Sequence, residues 1–347
     1  MHHFQNPFRG TGMDPALLDD VPAPSVDAAA PETLLARCPA YEQTPLITLE
    51  GFGGAGHVFV KDERTRMGLG SFKALGAAYV IAHQAAQTGA ADMKTALAGQ
   101  TFVTASAGNH GLSVAAGANL FGAKAVIYLA EAVPEGFAER LRAMGAGVER
   151  LGTSYEESME GAQKAATDNG WTLLSDSSWP GYFELSHRLM EGYLAMAAET
   201  TRQMQSAPTH IFLQAGVGGL AGACAAYFRH VWGDGPQIIV VEPETAPALI
   251  ASIKAGKPVI APGPVSNMGR LDCKEPSLIA LRGLSRDADV FVTLTEEEAT
   301  EAMPALAAAG LATSTSGGAG LVALMQGIDG IDASSEVLCI LSEGDED

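Results

Sequence analysis

Cysteine is scarce in this chain: Cys38, Cys224, Cys273 and Cys339 are the only four among 347 residues, far apart and without a CxxC pair. Neither a disulfide framework nor a thiolate zinc site is indicated by such spacing. Buried thiols are the simplest reading, with Cys273, in a polar loop, the one candidate for a reactive thiol. Basic residues are also few, 21 Lys and Arg against 40 Asp and Glu for a formal charge of −19, and no basic block occurs. A nucleic-acid backbone or an anionic membrane is therefore an unsuitable partner, and any anion must be bound locally. No run of about eighteen apolar residues is present to span a bilayer. The start, Met1-His2-His3-Phe4-Gln5-Asn6-Pro7, lacks the order of a secretion signal, so a cytoplasmic setting is expected.

What is present is enough apolar sequence, 47% of the chain, for a substantial core, and a length at which single cores tend to split into two lobes. Residues 1–44, rich in Pro, Ala and Asp, read as an arm packed on the surface. Beyond them, short β-type runs at 57–61, 101–104, 125–129, 209–213, 237–241 and 337–341 alternate with Ala-rich helical stretches. That alternation predicts an α/β fold of parallel-rich sheets flanked by helices. Strand and helix patterns between 101 and about 174, with a further strand at 147–150, predict a small inserted domain over 91–189. A large domain is expected from 45–90 and 190–347, with the ligand cleft between the two at the carboxyl ends of strands.

Four motifs fall at such strand ends. Gly68-Leu69-Gly70-Ser71-Phe72-Lys73 places Lys73 at a helix start, where it is either a surface lysine or an amine available for imine chemistry. Ser106-Ala107-Gly108-Asn109-His110-Gly111 opens the next helix. It is either a glycine turn capped by asparagine or a cradle whose amides, with the Ser106 hydroxyl, take a carboxylate while Asn109 meets an anionic ring oxygen. Gly216-Val217-Gly218-Gly219-Leu220 is either a tight turn or a phosphate loop. It lacks the Lys-Ser/Thr of a nucleotide P-loop and the full dinucleotide fingerprint, although Glu242 after the following strand supplies a candidate ribose acid for a nicotinamide alternative. Ser342, after the last strand, is either a turn residue or a neutral partner for a pyridine nitrogen. A lysine together with a phosphate cradle points to pyridoxal 5'-phosphate, held covalently through the one and by its phosphate through the other.

In this order the motifs resemble the fold type II pyridoxal phosphate enzymes, the tryptophan synthase β and serine/threonine dehydratase group, from about Pro45 to Ser342. Within that group, Val60-Lys61-Asp62-Glu63-Arg64 with Gly68 to Gly76, and Asp176-Ser177-Ser178-Trp179-Pro180-Gly181-Tyr182, are similar to diaminopropionate ammonia-lyases, as is Asn6-Pro7. The resemblance implies a lyase of amino-acid metabolism, a homodimer, that eliminates the β-substituent of a 3-substituted L-amino acid to give a 2-oxo acid and ammonia. The named substrate is 2,3-diaminopropionate, with a serine, threonine or other 3-hydroxy amino acid dehydratase as the alternative and a non-catalytic protein of the same fold behind both. It further implies that Lys73 carries the cofactor, Asn109 contacts the ring hydroxyl, Gly216, Val217, Gly218, Gly219 and Leu220 hold the phosphate, and Ser342 faces the ring nitrogen. Asp176 becomes a candidate acid/base, or else a cap or turn residue before Trp179.

Two departures bear on the substrate, whose contacts are expected from Ser106, Ala107, Gly108, His110 and Arg270. Ala107 stands where those lyases carry aspartate, which is the dehydratase form of the loop and favours an L-configured α-carbon. Arg270 and Lys274 are additions to a loop that reads Ala-Gly-Leu-x-Cys-Gly in the lyases; they either receive an anionic substituent or, for Arg270, bond Asp272 or Glu275 across the loop. No metal site is expected, and Glu296, Glu297 and Glu298 read as the acidic start of a helix.

Overall fold

The computed structural model describes residues 1–345. Eleven strands are formed: β1 His2–Gln5, β2 Leu46–Glu50, β3 His57–Asp62, β4 Thr101–Ala105, β5 Lys124–Leu129, β6 Gly147–Arg150, β7 Thr172–Leu173, β8 His210–Gln214, β9 Gln237–Pro243, β10 Val290–Leu294 and β11 Glu336–Leu341. Seven of them make one sheet in the order β1-β10-β9-β8-β11-β3-β2, and four make a second in the order β6-β5-β4-β7. The smaller sheet is wholly parallel. In the larger, β10, β9, β8, β11 and β3 run parallel while β1 and β2 add antiparallel edges.

Composition explains this arrangement. Central strands such as Ile211-Phe212-Leu213 and Leu338-Cys339-Ile340 are buried on both faces, as strands covered by helices on either side must be. Hydrophobic clusters accordingly lie on opposite faces of the large sheet: Ile238 and Val240 pack into one, Ile239 and Val241 into the other.

The expected strands leave out β1, β2, β7 and β10. Two are mixed-pattern edge strands and β7 is only two residues long, but β10 is a full apolar run, Val290 to Leu294, that the pattern already contained. The amino-terminal arm does more than pack on a surface. It contributes β1, and the buried Asn6 amide donates to the carbonyls of Ser285 (2.8 Å) and Ala288 (2.7 Å), closing the end of the helix Leu278–Asp287.

The helix Lys73–Gln87 packs on the helices Asn109–Leu120 and Glu184–Gln203. Gly76 and Gly192 allow the second contact, because a Cβ on Gly192 would fall 2.5 Å from the Leu75 carbonyl oxygen. Among the described residues no helix is long and apolar enough to cross a membrane.

Candidate active site

Lys73 is brought to the site by strand-like pairing just before its helix. Ser71 forms a β-bridge with Glu343, the Phe72 amide donates to the Ser342 carbonyl (3.1 Å) and the Gly344 amide to Gly70 (3.0 Å). The chain's last described residues are thereby fixed beside Lys73. Its Nζ donates to Asp176 Oδ2 at 2.5 Å, both side chains about one fifth exposed. Burial by itself lowers the lysine's proton affinity, but the Asp176 carboxylate, with Tyr193 adding, outweighs it and the ammonium is held above its ordinary range. Burial likewise raises Asp176, and the Lys73 ammonium overcomes that to hold the carboxyl well below the usual range.

Asp176 owes its position to a pinned loop. The Tyr182 hydroxyl donates to the Leu173 carbonyl and accepts from the Ser175 amide, both at 2.9 Å, and the Tyr182 ring stacks on Trp179 at 4.4 Å. On the other side Ser178 and Ser277 share a hydroxyl hydrogen bond of 2.7 Å. His110 adds a third pin: it is buried, and its Nε2 donates to the Leu174 carbonyl at 2.8 Å. Burial keeps the imidazole neutral by lowering its pKa.

Asn109, Ser314 and Arg270 converge on Glu343, a residue that directly follows Ser342 and carries no motif. The Asn109 amide donates to Glu343 Oε2 at 2.5 Å, the Ser314 hydroxyl donates to Oε1, and Arg270 Nε lies 3.9 Å from Oε2. Burial raises the Glu343 carboxyl and these partners, with Lys73, restrain the rise. Arg270 thus faces Glu343 instead of Asp272 or Glu275. It also lies against the neighbouring loop, since a Cβ on Gly108 would be 3.0 Å from Arg270 Cδ. Lys274 donates to Asp272 (2.5 Å) and to the carbonyls of Thr245 and Pro264. Ser106 Oγ accepts from the Gly108 (3.3 Å) and Gly111 (3.0 Å) amides and donates to the Gly108 carbonyl (3.5 Å), which shapes the loop. Ala107, next to it, contributes no polar side chain.

The turn Gly216–Leu220 leads from β8 into the helix Gly219–Trp232. Gly218 has φ +96°, and a Cβ there would meet Ala280 at 3.0 Å and Leu249 at 3.1 Å, so glycine is required on both counts. Among the described residues the amides of Gly218, Gly219 and Leu220 donate to no backbone carbonyl or side chain. The turn therefore presents unpaired donors at the positive end of a helix. Asp176 is close by, its carbonyl oxygen 3.8 Å from where a Cβ on Gly219 would stand. The site thus unites a lysine, a carboxylate and an anion cradle.

Residues 38–343 match the family described as "Pyridoxal-phosphate dependent enzyme". The chain belongs to that family. A diaminopropionate ammonia-lyase of Salmonella typhimurium is 32% identical over 89% of this chain and 87% of its own length. A crystal structure of diaminopropionate ammonia-lyase from Escherichia coli in complex with D-serine superposes with a TM-score of 0.88 at 27% identity, covering 99% of this chain and 94% of that one. The processed form of threonine deaminase isoform 2 from Solanum lycopersicum shares the fold, with a TM-score of 0.79, 20% identity and coverage of 100% and 94%. The fold is that of the type II enzymes, and this pyridoxal phosphate enzyme is a lyase.

The residues present fit the cofactor. An accessible amine at Lys73 and free amides from Gly218 to Leu220 answer its aldehyde and its phosphate. The nicotinamide alternative is corrected by Glu242. That residue is fully buried and accepts from the Leu249 and Ile250 amides, each at 2.8 Å, so it caps a helix and cannot meet a ribose. Burial pushes its carboxyl up to about 8. Cys273 is equally settled: burial pushes the thiol up to about 12, which makes it a neutral wall beside Gly216, whose Cβ position is 3.0 Å from its Sγ.

Two tyrosines of the site carried no motif. Tyr155, at the start of the helix Tyr155–Asn169, has its phenol pKa pushed up by the burial of its hydroxyl end first, and then by the Asp176 carboxylate. Tyr193, in the helix Glu184–Gln203, faces Lys73 and Asp176. Neither stands in a glycine-rich turn or at a strand end, so local sequence offers no signal for them.

Proposed function

We propose that this lyase eliminates the β-amino group of L-2,3-diaminopropionate, giving a 2-oxo acid and ammonia. The Lys73–Asp176 contact carries the reading, because it places a potential base and a potential acid within one hydrogen bond. Bound pyridoxal phosphate supplies the electron sink that makes an α-proton removable. Lys73, as a neutral amine, takes that proton. While Lys73 is the neutral amine, Asp176 lacks its counter-ion and desolvation raises its proton affinity, so the pair starts as amine with carboxylic acid and, once the α-proton is taken and the acid proton given up, ends as ammonium with carboxylate. The proton on Asp176 serves the leaving nitrogen, which departs as ammonia and not as its anion. In the same reading Gly216 to Leu220 hold the phosphate, Ser342 meets the ring nitrogen, Asn109 meets the ring oxygen, and the Ser106–Gly108 turn takes the substrate carboxylate beside Arg270.

The loop Ala107-Gly108-Asn109-His110-Gly111 favours a second reading, a dehydratase of 3-hydroxy amino acids, since it has the dehydratase form. A homodimer in the cytoplasm, and domains formed from 45–90 with 190–347 and from 91–189, belong to the same proposal; they rest on the family resemblance and on the two sheets. The test is the visible spectrum and 2-oxo acid release with DL-2,3-diaminopropionate and, separately, L-threonine. Turnover of the diamine alone supports the lyase, and a response to threonine alone transfers the assignment to the dehydratase. Lys73→Ala should lose covalent cofactor retention and turnover together; surviving turnover would remove Lys73 from its role.

A further inference from the structure

Tyr193 is almost completely buried, 1% exposed, and its ring packs edge-on against Phe72, the residue before Lys73, with centroids 4.9 Å apart. The two ring carbons that flank the hydroxyl-bearing carbon approach different helices. A Cβ on Gly76 would lie 2.7 Å from Cε1, and one on Gly219 would lie 3.6 Å from Cε2. The hydroxyl therefore sits where the first turns of the helices Lys73–Gln87 and Gly219–Trp232 converge. Among the described residues no hydrogen bond to it is formed with good geometry, although it lies within reach of the Lys73 ammonium. A buried hydroxyl in that condition costs about 1–3 kcal/mol, whereas phenylalanine would fill the same space at no such cost. Its retention calls for a partner that the site itself provides.

We propose that Tyr193 is a positioning residue of the reaction, its phenol oxygen accepting a hydrogen bond from the Lys73 ammonium once that nitrogen has taken the α-proton. The inference rests on Lys73 being the base, as argued above. The proton moves from the α-carbon to Nζ, whose three N–H groups then need acceptors; Asp176 takes one and Tyr193 a second. Burial raises the phenol's pKa, so Tyr193 stays neutral and accepts without adding a charge. The other groups facing Lys73 are differently suited: Cys273 is a neutral thiol, His110 carries a positive charge or none, and Glu343 is occupied by Asn109, Ser314 and Arg270.

Tyr193→Phe tests this, because it removes one oxygen and keeps the ring. In the cofactor-free chain, the rate at which Lys73 captures pyridoxal phosphate, trapped by borohydride and located by mass spectrometry, is followed from about pH 6 to about pH 10. Loss of an acceptor destabilises the ammonium, so the variant's profile should move to lower pH by about one unit. In the loaded enzyme kcat should fall about tenfold with KM within about twofold, the mark of an interaction made after substrate binds. The melting temperature should be unchanged or higher. An unmoved capture profile, or a lowered melting temperature that reveals a structural role, overturns the inference. Failure of the wild-type chain to capture the cofactor at Lys73 would instead sink the lysine reading, and this inference with it.

Discussion

At the scale of single residues, the site works by coupling a lysine and a carboxylate that each shift the other. Asp176→Asn keeps the shape and removes the acid, so kcat should drop about 10²- to 10⁴-fold, the usual worth of a general acid, with KM much less affected; steady-state kinetics on the diamine checks it. The pair also has a stability signature in the cofactor-free chain. Asp176 is depressed in the folded state, so its contribution is present above its unfolded pKa of about 4 and is lost as pH falls toward the folded value. Lys73 is raised, so its contribution is complete below its unfolded pKa of about 10 and is lost as pH rises through the folded one. The melting-temperature difference between wild type and Asp176→Asn should therefore be flat across neutral pH and shrink in acid below about pH 4. The chemistry of these residues was legible singly: Lys73 by its place at a helix start, Asp176 only through its family-like string. That they touch was not, because 103 positions separate them.

At the scale of elements, each motif is a strand-to-helix turn whose backbone does the binding. The glycines of the phosphate turn announce themselves in sequence because only glycine takes φ +96° at Gly218 with Ala280 and Leu249 pressed against it. Gly218→Ala meets both penalties, and pyridoxal phosphate affinity should weaken at least about tenfold as the amides are turned from their direction; equilibrium titration of the cofactor's absorption measures it. The Asp176 loop is the contrary case. Its residues look like an ordinary polar turn, and what fixes them are Tyr182, the Ser178–Ser277 pair and His110, contacts that exist only once the loop is folded against the helix Leu278–Asp287 and the start of the helix Asn109–Leu120. His110, a candidate substrate contact by sequence, donates to the Leu174 carbonyl two residues before Asp176. Strand β10 went unforeseen despite its apolar run; β1 and β2 were hidden because edge strands are only half covered and keep a mixed pattern.

At the scale of the whole molecule, the segment preceding Lys73 is anchored by a buried ionic network. Arg66 donates to Glu63 and Glu199, Lys61 donates to Glu199 at 2.7 Å, and the Tyr41 hydroxyl donates to Glu199 at 2.6 Å, joining the region before β2, the end of β3 and the helix Glu184–Gln203. Two cations share two carboxylates away from water, and burial lowers the Lys61 pKa even with Glu199 beside it to limit the drop. Glu199→Ala leaves both cations undercompensated and should destabilise the fold by about 3–5 kcal/mol, measured by denaturant unfolding of the cofactor-free chain. The sequence shows Lys61-Asp62-Glu63 as part of a site motif; the structure uses Lys61 and Glu63 as the foundation of that site, since both are fully buried.

By itself the sequence determined the parallel α/β architecture and the cofactor class, because strand runs covered on both faces must be continuously apolar and because phosphate turns are built from contiguous residues. Tertiary structure alone decided the active constellation: Lys73 on Asp176, Asn109 and Arg270 on Glu343, and the Tyr193 hydroxyl between two helix starts. These meetings span up to 234 positions of chain. They follow from how two sheets and their covering helices pack, which no local spacing records.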